Sequence, residues 1–106
     1  MNVRALFDKL LTDLADLGVE EGHDDTGAAI LTHDGIPFAR LDLDDQMAFR
    51  AIPAPDAPAD AADAADDVLA HADELVTAQH ADGWVIVPAD DVAQWESLAR
   101  KALATT

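Results

Sequence analysis

The chain has 106 residues, of which 22 are Asp or Glu and six are Lys or Arg, a net charge of −16. It has no cysteine, which excludes a disulfide framework, a thiolate metal site and a cysteine nucleophile. No apolar run approaches the roughly 20 residues needed to span a membrane, and the acid excess disfavours generic DNA binding, which relies on Lys and Arg to neutralise phosphates.

The first predicted element is an amphipathic helix over residues 3–17. Val3, Leu6, Phe7, Leu10, Leu11, Leu14 and Leu17 form one stripe of period 3.6, with Arg4, Asp8, Lys9, Asp13 and Asp16 opposite. Asn2 suits its N-cap and Gly18 the position just past its end. Residues 19–25 are polar and acidic and read as a loop, entered at most by a short strand. Residues 27–32 then form a short apolar strand. His33-Asp34-Gly35 carries the Asp-Gly hairpin signal, and residues 36–43 return, with Ala39, Leu41 and Leu43 on one face against Arg40 and Asp42. Pro37 belongs at the strand's start or on an edge. Asp44-Asp45 makes a second turn. Residues 46–52 alternate as a third strand, with Met47, Phe49 and Ala51 facing the core.

Three prolines at 53, 55 and 58 break regular structure, so residues 53–60 are a linker inside one domain spanning 1–106. A helix is predicted from about Asp60 to His80, with a stripe of Ala61, Ala65, Val68, Leu69, Ala72, Leu75, Val76 and Gln79. Its Ala/Asp-rich first turns are expected to sit loosely. Asp82-Gly83 ends it. Trp84-Val85-Ile86-Val87 is a continuous apolar strand, central in the sheet. A last helix follows Pro88, with Asp91 as N-cap and Gln94 completing a capping box. Val92, Trp95, Leu98, Ala99, Ala102 and Leu103 form its buried stripe. The expected fold class is α+β, in the order α-β-β-β-α-β-α, with helices packed on one face of a mainly antiparallel sheet.

The hairpin Asp34-Gly35-Ile36-Pro37-Phe38-Ala39, the pair Phe49-Arg50 ending the third strand, and Trp84-Val85-Ile86-Val87 before a capped closing helix resemble the MmcQ/YjbR-like family of small bacterial proteins. The likeness covers roughly residues 26–104. It departs at the closing helix, which ends Lys101-Ala102-Leu103 where the family often has an aromatic, and at the expanded stretch 53–67. The resemblance implies a small domain whose fold has been likened to a DNA-binding double-wing arrangement. It carries no catalytic residues over.

Few residues offer chemistry. His71 shares a helix face with Asp67 and Glu74, a spacing open to a metal ion, but a helix acidic at most exposed positions puts a His near two acids by chance. His23 and His33 read as solvated, and His80 as a partner of a helix C-terminus. Ser97 lies inside a helix, with no strand-turn-helix elbow around it. The five glycines form no phosphate loop. Hence no catalytic, cofactor-binding or metal residue is assigned, and the chain reads as non-enzymatic. Arg40 and Arg50, on adjacent strands, are expected either to meet on one sheet face or to offset acids such as Asp42. Between Arg50 and Arg100 stand 11 acids and no Lys or Arg, which fits adaptation to a salty cytoplasm, a compositional bias toward Ala and Asp, or a functional acidic face.

The reading is a cytoplasmic protein–protein interaction module, with self-association as one form of it. Met1-Asn2-Val3-Arg4 lacks the pattern of a signal peptide. The alternatives are an acidic nucleic-acid mimic that binds a basic DNA-binding protein, and a small metal-binding protein or enzyme using His71.

Overall fold

In the computed structural model, residues 3–42, 46–55, 57–75, 78–81, 83–88 and 93–106 are described. The elements are helix α1 (Val3–Leu14), strands β1 (Val19–His23), β2 (Ala29–His33), β3 (Ile36–Asp42) and β4 (Gln46–Arg50), helix α2 (Ala61–Asp73), strands β5 (Gln79–Ala81) and β6 (Trp84–Pro88), and helix α3 (Trp95–Leu103). The fold is α+β, and the expected order holds apart from two further strands, β1 and β5.

The amphipathic stripe builds α1 as expected, although its last turn tightens into a 3-10 turn at Ala15–Leu17. Gly18 closes it at φ +82°, a conformation that suits glycine. Asn2, Asp44-Asp45 and Asp91, named above as caps and a turn, lie outside the described residues.

Six strands form one antiparallel sheet in the order β1-β2-β3-β4-β6-β5. Asp34 and Gly35, at φ 55° and 81°, form the hairpin turn that the Asp-Gly signal announces. One register row, Leu31↔Ala39↔Phe49↔Val85, faces the helices. Together with Phe7, Leu14, Val68, Trp95 and Leu98 it makes the core, all at most 2% exposed. Met47, Phe49 and Ala51 are buried as their alternation requires.

Three expectations are corrected. Residues 19–23 form a strand, because β2 offers a free edge over its whole length and Val19 adds to the core. The helix expected to reach His80 ends at Asp73, and Gln79–Ala81 instead pair with β6. The second Asp-Gly therefore marks a strand-to-strand connection rather than a helix end. The first turns of α2 are also not loose: Ala61, Ala64 and Ala65 are buried, since small side chains let the helix sit close to its neighbours.

Between Leu31 and Thr32 the β2–β3 register shifts: Leu31 faces Ala39 while Thr32 faces Pro37, so Phe38 is an extra residue. The bulge turns both Phe38 and Ala39 into the interior, each 0% exposed. The proline-rich stretch is tied down, with Ala54 N–H donating to the Thr105 carbonyl at 3.0 Å. No helix among the described residues is long and apolar enough to cross a membrane.

Gly83 has φ +84°, and a Cβ there would lie 2.7 Å from Ile52 Cγ2. Gly83→Ala is therefore expected to lose about 1–3 kcal/mol of stability in urea unfolding. Ile52→Ala in the same background should return only the steric part. At the centre of the sheet, Phe49→Ala should cost about 3–5 kcal/mol by the same measurement.

Candidate functional site

All three helices contribute to the core on one face of the sheet. Side chains alternate along each strand, so the residues between the core positions point to the other face. One row there runs Ile30↔Arg40↔Ala48↔Ile86↔Gln79, and beside it Arg50 faces Trp84. Glu20, Gly22 and Thr32 extend the face toward β1.

Trp84 is its centre. The Arg40 guanidinium carbon lies 5.4 Å from the indole centroid and that of Arg50 6.0 Å. Both are within cation–π range. Arg40 and Trp84 belong to strands on either side of β4, roughly 9.5 Å apart at the usual strand spacing, so their contact bridges over Ala48. Beneath that bridge Ala48 is 0% exposed, on a face with no helix above it among the described residues. A larger residue at 48 would hold the indole and the guanidinium apart.

The two arginines do different work. Arg50 donates from Nε to the Ile52 carbonyl at 3.1 Å and from Nη1 to the Pro37 carbonyl at 3.3 Å, tying the end of β4 to the β3 hairpin. Partial burial lowers its pKa from the ordinary value by desolvation. Arg40 makes no hydrogen bond or ion pair among the described residues. The other described cations are engaged: Lys9 with Asp13 at 3.5 Å, Arg100 with Glu96 at 3.9 Å, and Lys101 with His71. Of the two arrangements expected, Arg40 and Arg50 do share a sheet face; neither forms an ion pair with a carboxylate among the described residues, although Arg40 acts on Asp24 at longer range. The Asp42 side chain lies outside the described residues.

Charge is divided between the two sides of the molecule. Asp13, Asp63, Asp66, Asp67, Asp73 and Glu96 are exposed on the helices. Among the described side chains, Glu20 lies on the open face, and Asp24, two residues past Gly22, is near enough to Arg40 to feel its charge. The outward acids of α2 are read as a solvated face.

The sequence-predicted chemical residues go elsewhere. His71 stands between α2 and α3. Its Nδ1 lies 2.9 Å from Lys101 Nζ and its Nε2 2.8 Å from Gln94 Oε1. An ammonium only donates, so Nδ1 is the acceptor and Nε2 carries the proton toward Gln94. Both ring nitrogens are thereby occupied within the protein, and His71 serves as a clasp between helices. Among the described residues no group of three or more His, Asp or Glu side chains is placed to hold a metal ion. His80 lies on β5 instead of ending a helix, 3.3 Å from the Asp73 carboxylate. His33, expected to be solvated, is part-buried with Nδ1 2.9 Å from Thr106 Oγ1. His23 is exposed at the end of β1, and Ser97 is part-buried on α3.

The β1–β2 connection is closed by Asp24. Its Oδ1 accepts from Thr26 Oγ1 at 2.6 Å, Thr26 N–H at 2.9 Å and Ala28 N–H at 3.0 Å. The Thr26 hydroxyl is the main cause holding this carboxyl below its ordinary 3.8; desolvation opposes it, and the two N–H groups and the more distant Arg40 add to it.

Two outcomes follow from these contacts. His71→Ala should cost about 1 kcal/mol, read as a fall in Tm of roughly 4–8 °C. Because the folded-state pKa of Asp24 is depressed, its contribution to stability is present above the unfolded value and fades as pH falls through the folded one. An NMR titration should place the Asp24 midpoint below 3.8, and Thr26→Ala should move it back toward that value.

Compared with known proteins, the chain matches no family model, no curated protein and no solved structure.

Proposed function

We propose that the chain is a non-enzymatic protein–protein interaction module whose binding surface is the open face of the sheet around Trp84. The observation that carries this reading is the Arg40–Trp84–Arg50 cluster: a part-buried indole held by two guanidiniums, none of them paired with a carboxylate among the described residues. Trp and Arg are the residue types over-represented among binding hot spots, because each combines a large planar surface with directed polar contacts. Ile30, Ile86 and Pro88 lie partly exposed around the cluster.

The sheet edges support the face as the surface. β5 has only three residues, and β1 carries Glu20 and Glu21. Short and charged edge strands discourage pairing with a further strand. The likeness to MmcQ/YjbR-like proteins belongs to this proposal as well, and supports a non-enzymatic role only in that it brings no catalytic residue with it. A cytoplasmic setting is part of the same reading.

The test is a partner recovered from native extract at matched ionic strength and then measured as a purified pair. Trp84→Ala should weaken that pair by about 2 kcal/mol, roughly thirtyfold in Kd, while leaving unfolding cooperative. A partner that binds Trp84→Ala as well as wild type, and is lost when Asp66 and Asp67 are changed to Lys, would place the interface on α2. That result would favour the nucleic-acid mimic.

A further inference from the structure

We infer that the open sheet face takes an extended acidic segment of a partner protein, with Arg40 as the group that receives its carboxylate. This rests on the open face being the docking surface and adds the chemistry of the occupant.

Of the other described cations, Lys9 and Arg100 pair with carboxylates within their own helices, Lys101 meets His71, and Arg50 donates to backbone carbonyls. Arg40 has no such partner among the described residues; its guanidinium carbon lies 5.4 Å over the Trp84 ring instead. A guanidinium held against an aromatic face keeps N–H donors that can bind a carboxylate through two parallel hydrogen bonds. The indole and the neighbouring β-strands restrict the side chain, so less ordering remains to be done on binding.

The net charge of −16 does not remove this site. The exposed acids of α2 and α3 lie on the opposite side of a molecule whose shortest extent is 25 Å, against a Debye length of about 8 Å at physiological salt. Among the described side chains the open face presents Arg40 and Arg50, with Glu20 toward the β1 edge and Asp24 close enough to feel the charge of Arg40 without forming an ion pair with it. The same arithmetic separates the possible anions. A nucleic acid brings one charge per phosphate and needs many Lys and Arg to bind. Two guanidiniums, one of them already tied to two backbone carbonyls, match one or two carboxylates. The apolar residues flanking the cluster, Ile30 and Ile86, favour a segment in which acids alternate with apolar side chains.

The experiment follows the Arg40 Nε–H and Trp84 indole N–H signals of the full chain by NMR during three titrations at fixed ionic strength. The probes are a synthetic peptide alternating Glu with Leu and Ala, a Lys-rich peptide of equal length, and single-stranded oligothymidylate. The acidic peptide should shift both signals saturably. Its Kd should rise about tenfold in Arg40→Gln and increase with added salt, while the backbone amide spectrum of the variant stays native. Equal binding by wild type and Arg40→Gln overturns the assignment. Shifts of the same two signals by the Lys-rich peptide or the oligonucleotide, and not by the acidic peptide, keep the face as a docking surface and overturn the acidic occupant. If none of the three probes moves either signal, the docking surface falls along with its occupant.

Discussion

A six-stranded antiparallel sheet has two faces, and this chain has helices for only one of them. That asymmetry governs most of the structure. On the covered side, Phe7, Phe38, Phe49 and Trp95 supply bulk, and the alanines of α2 and α3 let the helices come close to one another. The other side has to remain stable in water without a second layer. Arg40 and Trp84 reach toward each other across β4 above Ala48, which is buried although no helix among the described residues packs on that face. Arg50 adds two hydrogen bonds to backbone carbonyls from the same cluster. The same cluster is the centre of the proposed binding face.

The acidity takes on a different meaning once it is placed in space. The exposed helical positions carry much of it, where hydration and salt screening make repulsion tolerable. Four of the described bases are given structural work: Lys101 orients His71 between two helices, Lys9 and Arg100 sit four residues from an acid, and Arg50 binds carbonyls. Arg40 alone among the described cations has neither a hydrogen bond nor an ion pair. The proposed docking face requires a small region of opposite sign within a large net charge, the two separated by more than the screening length.

Much of the fold was legible in the sequence, because the hydrophobic periods of α1, β4 and β6 are strong and local. The helix face of Phe7, Leu10 and Leu14 and the alternation of Met47, Phe49 and Ala51 appear in the core as their spacing implies. What escaped was decided by neighbours distant in sequence. Residues 19–23 look like a loop until β2 presents an edge to them. Gln79–Ala81 continue a helical stripe on paper, yet pair with β6 because the Asp-Gly that follows reverses the chain. Phe38 breaks the alternation of β3 through a bulge that no local pattern marks. The site was half visible: adjacent strands put Arg40 and Arg50 on one face, but Trp84 joins them only because β6 lies beside β4, a fact of topology. The clasp around His71 was hidden for the same reason, since Gln94 and Lys101 come from another helix.

The central claim is that the potential at Trp84 is positive in a protein whose net charge is strongly negative. Trp95, at 2% exposed, is shielded from solutes, so collisional quenching of the indole fluorescence reports on Trp84. At matched ionic strength the account predicts that iodide quenches this fluorescence more effectively than caesium, and that Arg40→Gln narrows the difference. Caesium quenching more effectively than iodide in the wild-type protein would mean that the helical acids govern the open face, and would contradict the account.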